Sequence, residues 1–402
     1  MTEKRGDLLD KLKAIQAKRA EFEAGTASPG STVIEKVLGP CEIVIGGRPT
    51  LMFGSNNYLG LTFDPTVMAA AREAILQYGT GTTGSRTANG TLSLHEDLER
   101  DFAGWFGKRH ALIFSTGYQA NLSVIGGLCG PDDVILIDSD SHASIYDATR
   151  QTPSQVVAFR HNSPESLRKK LERLPKDSRN RLVVAEGLYS IRGDVAPLRD
   201  LVAVARAYGA YVMVDEAHSL GTFGPTGLGV AEEQGILDQV DFIVGTFSKS
   251  LAGIGGVCVS DHRELRSLHF LARAYVFTAS GSPGNVAGVR AAVRVIRERP
   301  ELRKKLWANI AQLRDGLRKM GYVIGSTESP IVPIFTGDET KTISLWQELL
   351  AEGLYVNLIV PPGCSRDDCL LRASCSAAHT TQQISKALDI LERARVGVGV
   401  TA

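Results

Sequence analysis

The 402-residue chain reads as an α/β protein: a mostly parallel sheet covered by helices on both faces, then a smaller C-terminal α+β part. Three observations predict this. Five short apolar runs alternate with helical patterns between about residues 61 and 286: Ala111-Leu112-Ile113-Phe114, Val134-Ile135-Leu136-Ile137, Leu182-Val183-Val184-Ala185, Tyr211-Val212-Met213-Val214 and Phe242-Ile243-Val244. Short continuous apolar runs are what strands buried on both faces require. Each run ends in small, hydroxylated or charged residues. After Pro283 the pattern changes to two long helical stretches with weaker strand signals.

Taken in order, apolar positions at Leu8, Leu9, Leu12, Ile15 and Ala20 among charges predict an amphipathic helix from Leu8 to about Glu23. The weak alternation from Val33 to Ile45, meeting Gly46-Gly47, predicts a short hairpin or lead-in strand. Gly79 to Arg86 and Asn89-Gly90-Thr91 form a glycine-rich loop. It lacks the GK[ST] ending of a Walker loop, and no strand directly precedes it as a dinucleotide fingerprint needs. Helices are predicted over Ala120 to Leu128, Pro283 to Arg299, Pro300 to about Met320 and Thr381 to Ala394, with strands near Ile331-Val332-Pro333-Ile334 and Leu370-Leu371. The expected division is 1–60 as N-terminal helix and lead-in strands, 61–290 as the large domain and 291–402 as the small domain.

Composition narrows the function. Lys+Arg 45 against Asp+Glu 44 leaves a net charge of +1, which argues against nucleic acid or another polyanion as partner. The apolar runs are too short and too interrupted for a membrane span, which leaves peripheral contact with a bilayer open. The start of the chain, Met1 to Asp7, lacks a signal-peptide apolar core, so a cytoplasmic location is expected. The six cysteines have no zinc-site spacing, Cys364, Cys369 and Cys375 beside His379 included; reduced thiols are expected, and no metal.

The chemistry follows the strands, and ligands of open parallel sheets collect at the strands' carboxyl ends. The runs lead into Ser115-Thr116-Gly117-Tyr118, Asp138-Ser139-Asp140-Ser141-His142, Glu186-Gly187-Leu188-Tyr189-Ser190, Asp215-Glu216-Ala217-His218 and Thr246-Phe247-Ser248-Lys249. A lysine at one strand end and an acid at the next suit pyridoxal 5'-phosphate (PLP). Lys249 would form the Schiff base, and Asp215 would pair with the protonated ring nitrogen and keep the ring an electron sink. A partly desolvated lysine loses its proton more easily, as imine formation demands. His218 can reach the phenolic oxygen and His142 can stack on the ring. The residues Ser115 to Tyr118 open a helix whose free N–H groups suit a phosphate, with hydroxyls added by Thr246 and Ser248. Arg372, on a small-domain strand, can clamp a substrate carboxylate.

Together with Asn56-Asn57-Tyr58-Leu59-Gly60, Gly84-Ser85-Arg86, Ser141-His142-Ala143-Ser144, Asp215-Glu216-Ala217-His218-Ser219 and Ala377-Ala378-His379-Thr380, these stretches resemble the α-oxoamine synthase family of fold-type I PLP enzymes over nearly the whole chain. The resemblance implies an aminotransferase-like large domain with a mostly parallel seven-stranded sheet, a homodimer sharing its active sites, and decarboxylative condensation of an amino acid with an acyl thioester. GTFSKS, FTAS, GLYVN and DSHASIYD are most similar to bacterial members that join L-serine to a palmitoyl-CoA-like long-chain acyl-CoA. The implied products are a 3-ketodihydrosphingosine-like α-amino ketone, CoA and CO2. It also implies roles: Lys249, His142, Asp215 and His218 catalytic; Gly117, Tyr118, Thr246 and Ser248 on the phosphate; Thr278 reaching the phosphate of the other subunit; Asn57, Ser190 and Arg372 at the substrate. Asn56 and Val360 stand where the serine-using members carry tyrosine and arginine. They keep open a glycine- or alanine-using enzyme of the 2-amino-3-ketobutyrate CoA ligase or 8-amino-7-oxononanoate synthase type, or one taking a carrier-protein thioester. A fold-preserving, non-catalytic subunit is the reading from another class, and the presence of Lys249 argues against it.

Overall fold

A computed structural model describes residues 7–23, 32–174 and 180–398. Its centre is a seven-stranded sheet in the order His110–Phe114, Gly256–Ser260, Phe242–Thr246, Tyr211–Asp215, Arg181–Glu186, Val134–Asp138, Gln155–Phe159. The five strands from Phe242–Thr246 to Gln155–Phe159 pair in parallel. Gly256–Ser260 runs antiparallel to both its neighbours. Side chains alternate between two apolar layers. Val183, Val212, Val214 and Ile243 enter one, and Leu182, Val184, Met213 and Val244 the other. This is why the sequence shows unbroken apolar runs: both faces are covered. Each such side chain, fully buried, contributes roughly 1.5–3 kcal/mol.

Two of the seven strands were not among the runs singled out above. Gln155–Phe159 is an edge strand with only Phe159 fully buried, so it carries little apolar signal. Gly256–Ser260 follows a glycine-rich turn that hides its start. At Gly255 (φ +145°) a Cβ would lie 2.4 Å from the Phe247 ring, so the turn after Lys249 needs glycine.

The N-terminal helix is Asp10–Glu23, and Leu8, Leu9, Leu12 and Ile15 are exposed in it or just before it. The lead-in is a three-stranded meander, Lys36–Gly39, Glu42–Ile45 and Arg48–Met52, turning at Gly46 and Gly47 with φ of +55° and +72°. Arg48–Met52 pairs in parallel with Leu354–Tyr355, so the lead-in strands are joined to the C-terminal part. The expected division at 290 falls inside the helix Pro283–Glu298, which packs on Pro65–Tyr78. The C-terminal part holds a sheet in the order Val323–Ile324, Ile331–Phe335, Leu370–Ser374, Asn357–Ile359. Its inner strand, Leu370–Ser374, is buried at every position and carries Arg372. Among the described residues no helix is long and apolar enough to cross a membrane, and all six cysteines are free. His379 is a packing residue: it stacks on Phe53 at 4.0 Å and lies 3.1 Å from the Met52 carbonyl.

Candidate active site

The polar strand ends meet around a cavity of about 280 Å³ at the carboxyl edge of the parallel strands. Lys249, Asp215, His142, His218, Gly117, Tyr118, Thr246 and Ser248 all line it. Asp215 is the last residue of its strand and is buried. It accepts hydrogen bonds from Asn121 Nδ2 at 2.7 Å and from the Ala217 amide at 2.9 Å. Two bonds leave each carboxyl oxygen with acceptor capacity for a ring N–H. Asn121 was absent from the sequence-derived site. Its signal was its position, one helical turn after Gly117 on the same face of the helix Gly117–Leu128.

Lys249 follows the strand Phe242–Thr246, and burial pulls its ammonium down to about 8. Asp215 and Glu186 oppose that shift, and Arg372 adds to it. The neutral amine is the form that attacks an aldehyde. Capture of PLP by the cofactor-free protein should therefore accelerate as pH rises and level off with a midpoint near 8. Stopped-flow absorbance checks this; a midpoint near 10, the ordinary lysine range, would contradict the assigned environment.

Both histidines are held in the neutral direction. Burial, then the charges of Lys249 and Arg372, drives His218 well below the ordinary imidazole value. Its Nδ1 lies 2.8 Å from the Tyr58 hydroxyl. His142 is lowered by burial and by Lys249 and raised by Asp215. Its backbone amide donates to Glu186 Oε1 at 2.6 Å, and its Nδ1 lies 2.7 Å from Ser144 Oγ. Glu186 and Asp215 are register partners on adjacent parallel strands, so their carboxyls stand side by side. Burial first, then Asp215, raises Glu186 well above the carboxylate range.

At the other end, the helix Gly117–Leu128 begins against the strand end. Thr116 caps it by accepting the Gln119 amide at 3.1 Å. A Cβ on Gly117 would sit 2.7 Å from Thr246 Cβ, so only glycine allows this approach. Thr246 and Ser248 hydroxyls are 3.0 Å apart beside that helix start. The Tyr118 hydroxyl bonds Asp147 and its ring meets His142 edge-on, which leaves its backbone N–H for an anion. A carboxylate at one end, a helix N-terminus with two hydroxyls at the other and an amine in the wall fit the ring nitrogen, phosphate and aldehyde of PLP.

Of the three residues expected at the substrate, Arg372 and Ser190 meet, and Tyr58 connects Arg372 to His218 in the cavity wall. Arg372 is buried and donates from Nε to the Ser190 carbonyl at 2.5 Å, from Nη1 to Ser374 Oγ at 3.0 Å, and from Nη2 to Asn56 Oδ1 at 3.0 Å and the Tyr58 hydroxyl at 3.4 Å. A guanidinium has five N–H donors, so one on Nη1 remains, aimed by the other four. Tyr58 thus links Arg372 to His218. Asn57 is buried; its Nδ2 donates to Thr62 Oγ1 at 2.8 Å and its Oδ1 has no partner. Thr278 is not brought to this cavity. It accepts from Gln119 Nε2 at 3.0 Å and lines a neighbouring hollow with Arg86 and His95. The glycine-rich loop is tied down there: Gly84's carbonyl accepts the Ser280 amide at 3.0 Å, and Arg86 pairs with Glu99 at 2.8 Å.

The sequence profile of the aminotransferase class I and II family matches residues 48–391, and the chain belongs to that family, with pyridoxal phosphate as its cofactor. More particularly, it is 47% identical over 393 residues to a serine palmitoyltransferase of Caulobacter vibrioides, covering 98% of this chain and 97% of the relative. It is 45% identical to a serine palmitoyltransferase of Sphingomonas paucimobilis, covering 98% and 94%. The solved Sphingomonas wittichii serine palmitoyltransferase superposes with a TM-score of 0.96 at 45% identity, covering 99% of this chain and all of that one. A high-resolution structure of such an enzyme with a PLP internal aldimine also superposes at 0.96 and 45% identity, covering 98% of this chain and all of the other. An 8-amino-7-oxononanoate synthase of Lysinibacillus sphaericus is 34% identical, covering 89% and 92%.

Proposed function

We propose that this chain is a PLP-dependent C-acyltransferase that condenses L-serine with a long-chain acyl-CoA, releasing CoA and CO2 and leaving an α-amino ketone. The observation that carries this reading is the buried Arg372, connected through Tyr58 to His218 in the wall of the cavity that holds Lys249 and Asp215. The names of relatives matched over nearly their whole length support serine and an acyl-CoA as the substrate pair. PLP, when bound, supplies the electron sink for charge developing at the substrate α-carbon. Asp215 keeps the ring nitrogen protonated, and Lys249, depressed by burial, takes the α-proton at Nζ. Arg372 orients the carboxylate through its remaining N–H. His142 and Ser144 close one face of the cavity, and the helix at Gly117 anchors the phosphate. Arg372 of the C-terminal sheet and Lys249 of the central sheet thus act on one substrate.

The second copy enters through Thr278. Phe277, its chain neighbour, and Ile254, which lines the same hollow, are 76% and 64% exposed, apolar surface suited to a twofold partner. In such a dimer Thr278 of one protomer reaches the phosphate end of the other. The cytoplasm is the compartment in this reading.

Asn56 favours a second amino-acid donor enough to test. It accepts from Arg372, in the place where serine-using members of the resembled family carry tyrosine. Mass spectrometry of products from serine, glycine and alanine, each with acyl-CoA thioesters of graded length, decides the matter. The serine product with a long-chain thioester is expected to dominate. A dominant glycine or alanine product would overturn serine while leaving the reaction class standing.

A further inference from the structure

Three strand-end loops next to the cavity are joined by one imidazole that the proposed chemistry does not use. His161 lies just after the edge strand Gln155–Phe159. Its Nδ1 is 2.8 Å from Asp138 Oδ1, at the end of Val134–Asp138, and its Nε2 bonds Asp194 Oδ2, in the turn after Arg181–Glu186. Both partners are carboxylates, so both ring nitrogens donate and the ring is an imidazolium. Asp138 is completely buried and also accepts the amides of Asp140 at 2.9 Å and Asn162 at 2.8 Å. Asp140 stands 4.0 Å from the ring, and Tyr189 meets it edge-on at 4.5 Å. Asp138, Asp140 and His161 place three potential metal donors within 4.8 Å of one another. With both ring nitrogens donating, however, His161 has no lone pair for a metal.

The turn that Asp194 belongs to is short and closed on itself. The Tyr189 amide donates to the Asp194 carbonyl at 3.0 Å, and the Gly193 amide to the Tyr189 carbonyl at 3.1 Å. Between them lies Ser190, whose carbonyl receives Arg372 Nε. We propose that His161, by bridging Asp138 and Asp194, is a positioning residue that fixes the 189–194 turn and, through the Ser190 carbonyl, sets the direction in which Arg372 meets the substrate carboxylate. This rests on the reading of Arg372 as the carboxylate contact. Burial lowers the imidazole, but the bonds to Asp138 and Asp194 and their charges outweigh it and raise it to about 10. The clip therefore holds across the neutral range; it is lost as pH rises through that value, and at the acid end once Asp138 is protonated, below the ordinary carboxylate range.

The test is His161→Gln in the PLP-loaded enzyme. The dissociation constant for L-serine, read from the cofactor spectrum, is expected to rise about tenfold, with the spectrum before serine unchanged. A carboxylate-free amine, ethanolamine, is expected to bind within about twofold of the parent, because it does not use Arg372. In the cofactor-free protein, amide exchange at Tyr189 and Gly193 is expected to speed up about tenfold, a readout independent of turnover. If His161→Gln does not fold, Asp194→Ala, which keeps the Asp138–His161 pair, carries the same measurements. Serine affinity within twofold of the parent, or equal losses for serine and ethanolamine, overturns the proposal; a merely structural histidine predicts one or the other. Arg372→Lys separates the two claims. If it leaves serine affinity unchanged, the carboxylate reading fails and the proposal loses its link to the substrate. If it weakens serine binding while His161→Gln does not, only the clip fails.

Discussion

Lys249→Ala is expected to lower kcat by roughly 10⁴-fold or more and to abolish the absorbance band of lysine-bound PLP in the same protein. In the proposed reaction two roles converge on one atom, Nζ: holding the cofactor aldehyde and acting as the base for the α-proton. The environment argues for both. Burial brings the amine to about 8, near enough to neutrality for either protonation state to be reached during turnover. The fold should survive the change. The turn after Lys249 is set by Gly255 and by the stacking of Phe247 on Phe102 at 5.3 Å, and the lysine side chain takes part in neither. Removing a buried ammonium also removes its desolvation cost. A thermal melt with normal cooperativity, together with lost turnover and lost absorbance, is the expected result. Retained turnover would overturn the assignment of Lys249.

Arg372→Ala carries the second largest effect, and it should divide differently. The loss falls on amino-acid binding: kcat/KM drops by about 2–5 kcal/mol of transition-state stabilisation, while PLP absorbance remains. The truncation leaves the Ser190 carbonyl and Ser374 Oγ without their Arg372 donor and Asn56 Oδ1 with the Tyr58 hydroxyl alone, so some thermal stability is lost as well. Arg372→Lys keeps the charge but cannot reproduce the planar fork that reaches Ser190, Ser374 and Asn56 together. It should recover the melting temperature partially and the serine KM poorly. A serine KM unchanged in both variants would remove Arg372 from the substrate site. KM for the acyl-CoA is the internal control, since the contact proposed for the guanidinium is with the amino-acid carboxylate.

The cofactor half of the site was legible in the sequence for a simple reason. Its residues sit at the ends of five unbroken apolar runs, and parallel strands deliver their carboxyl ends to one edge. Lys249, Asp215, His142, His218, Thr246 and Gly117 follow those runs directly, and the structure lines one cavity with all of them. Asn121 escaped because it lies inside a helix, where its partnership with Asp215 depends on the helix's rotation against the sheet. Glu186 was visible as a strand end. Its place beside Asp215 is a matter of strand order, which the sequence does not state. The edge strand Gln155–Phe159 was missed because exposure on an edge removes the apolar pattern, and with it went His161.

By itself, then, the sequence determined the α/β class, the lysine–aspartate pair and the cofactor, because short-range pattern and strand-end position decide those. Tertiary structure alone decided how Arg372 is aimed. Its four partners, Asn56, Tyr58, Ser190 and Ser374, come from the lead-in segment, from the turn behind a central strand and from its own strand, up to 316 residues apart in sequence. No local pattern records such a meeting. It exists because the lead-in strands pair with the C-terminal part and bring Asn56 to a guanidinium that the Ser190 carbonyl already holds.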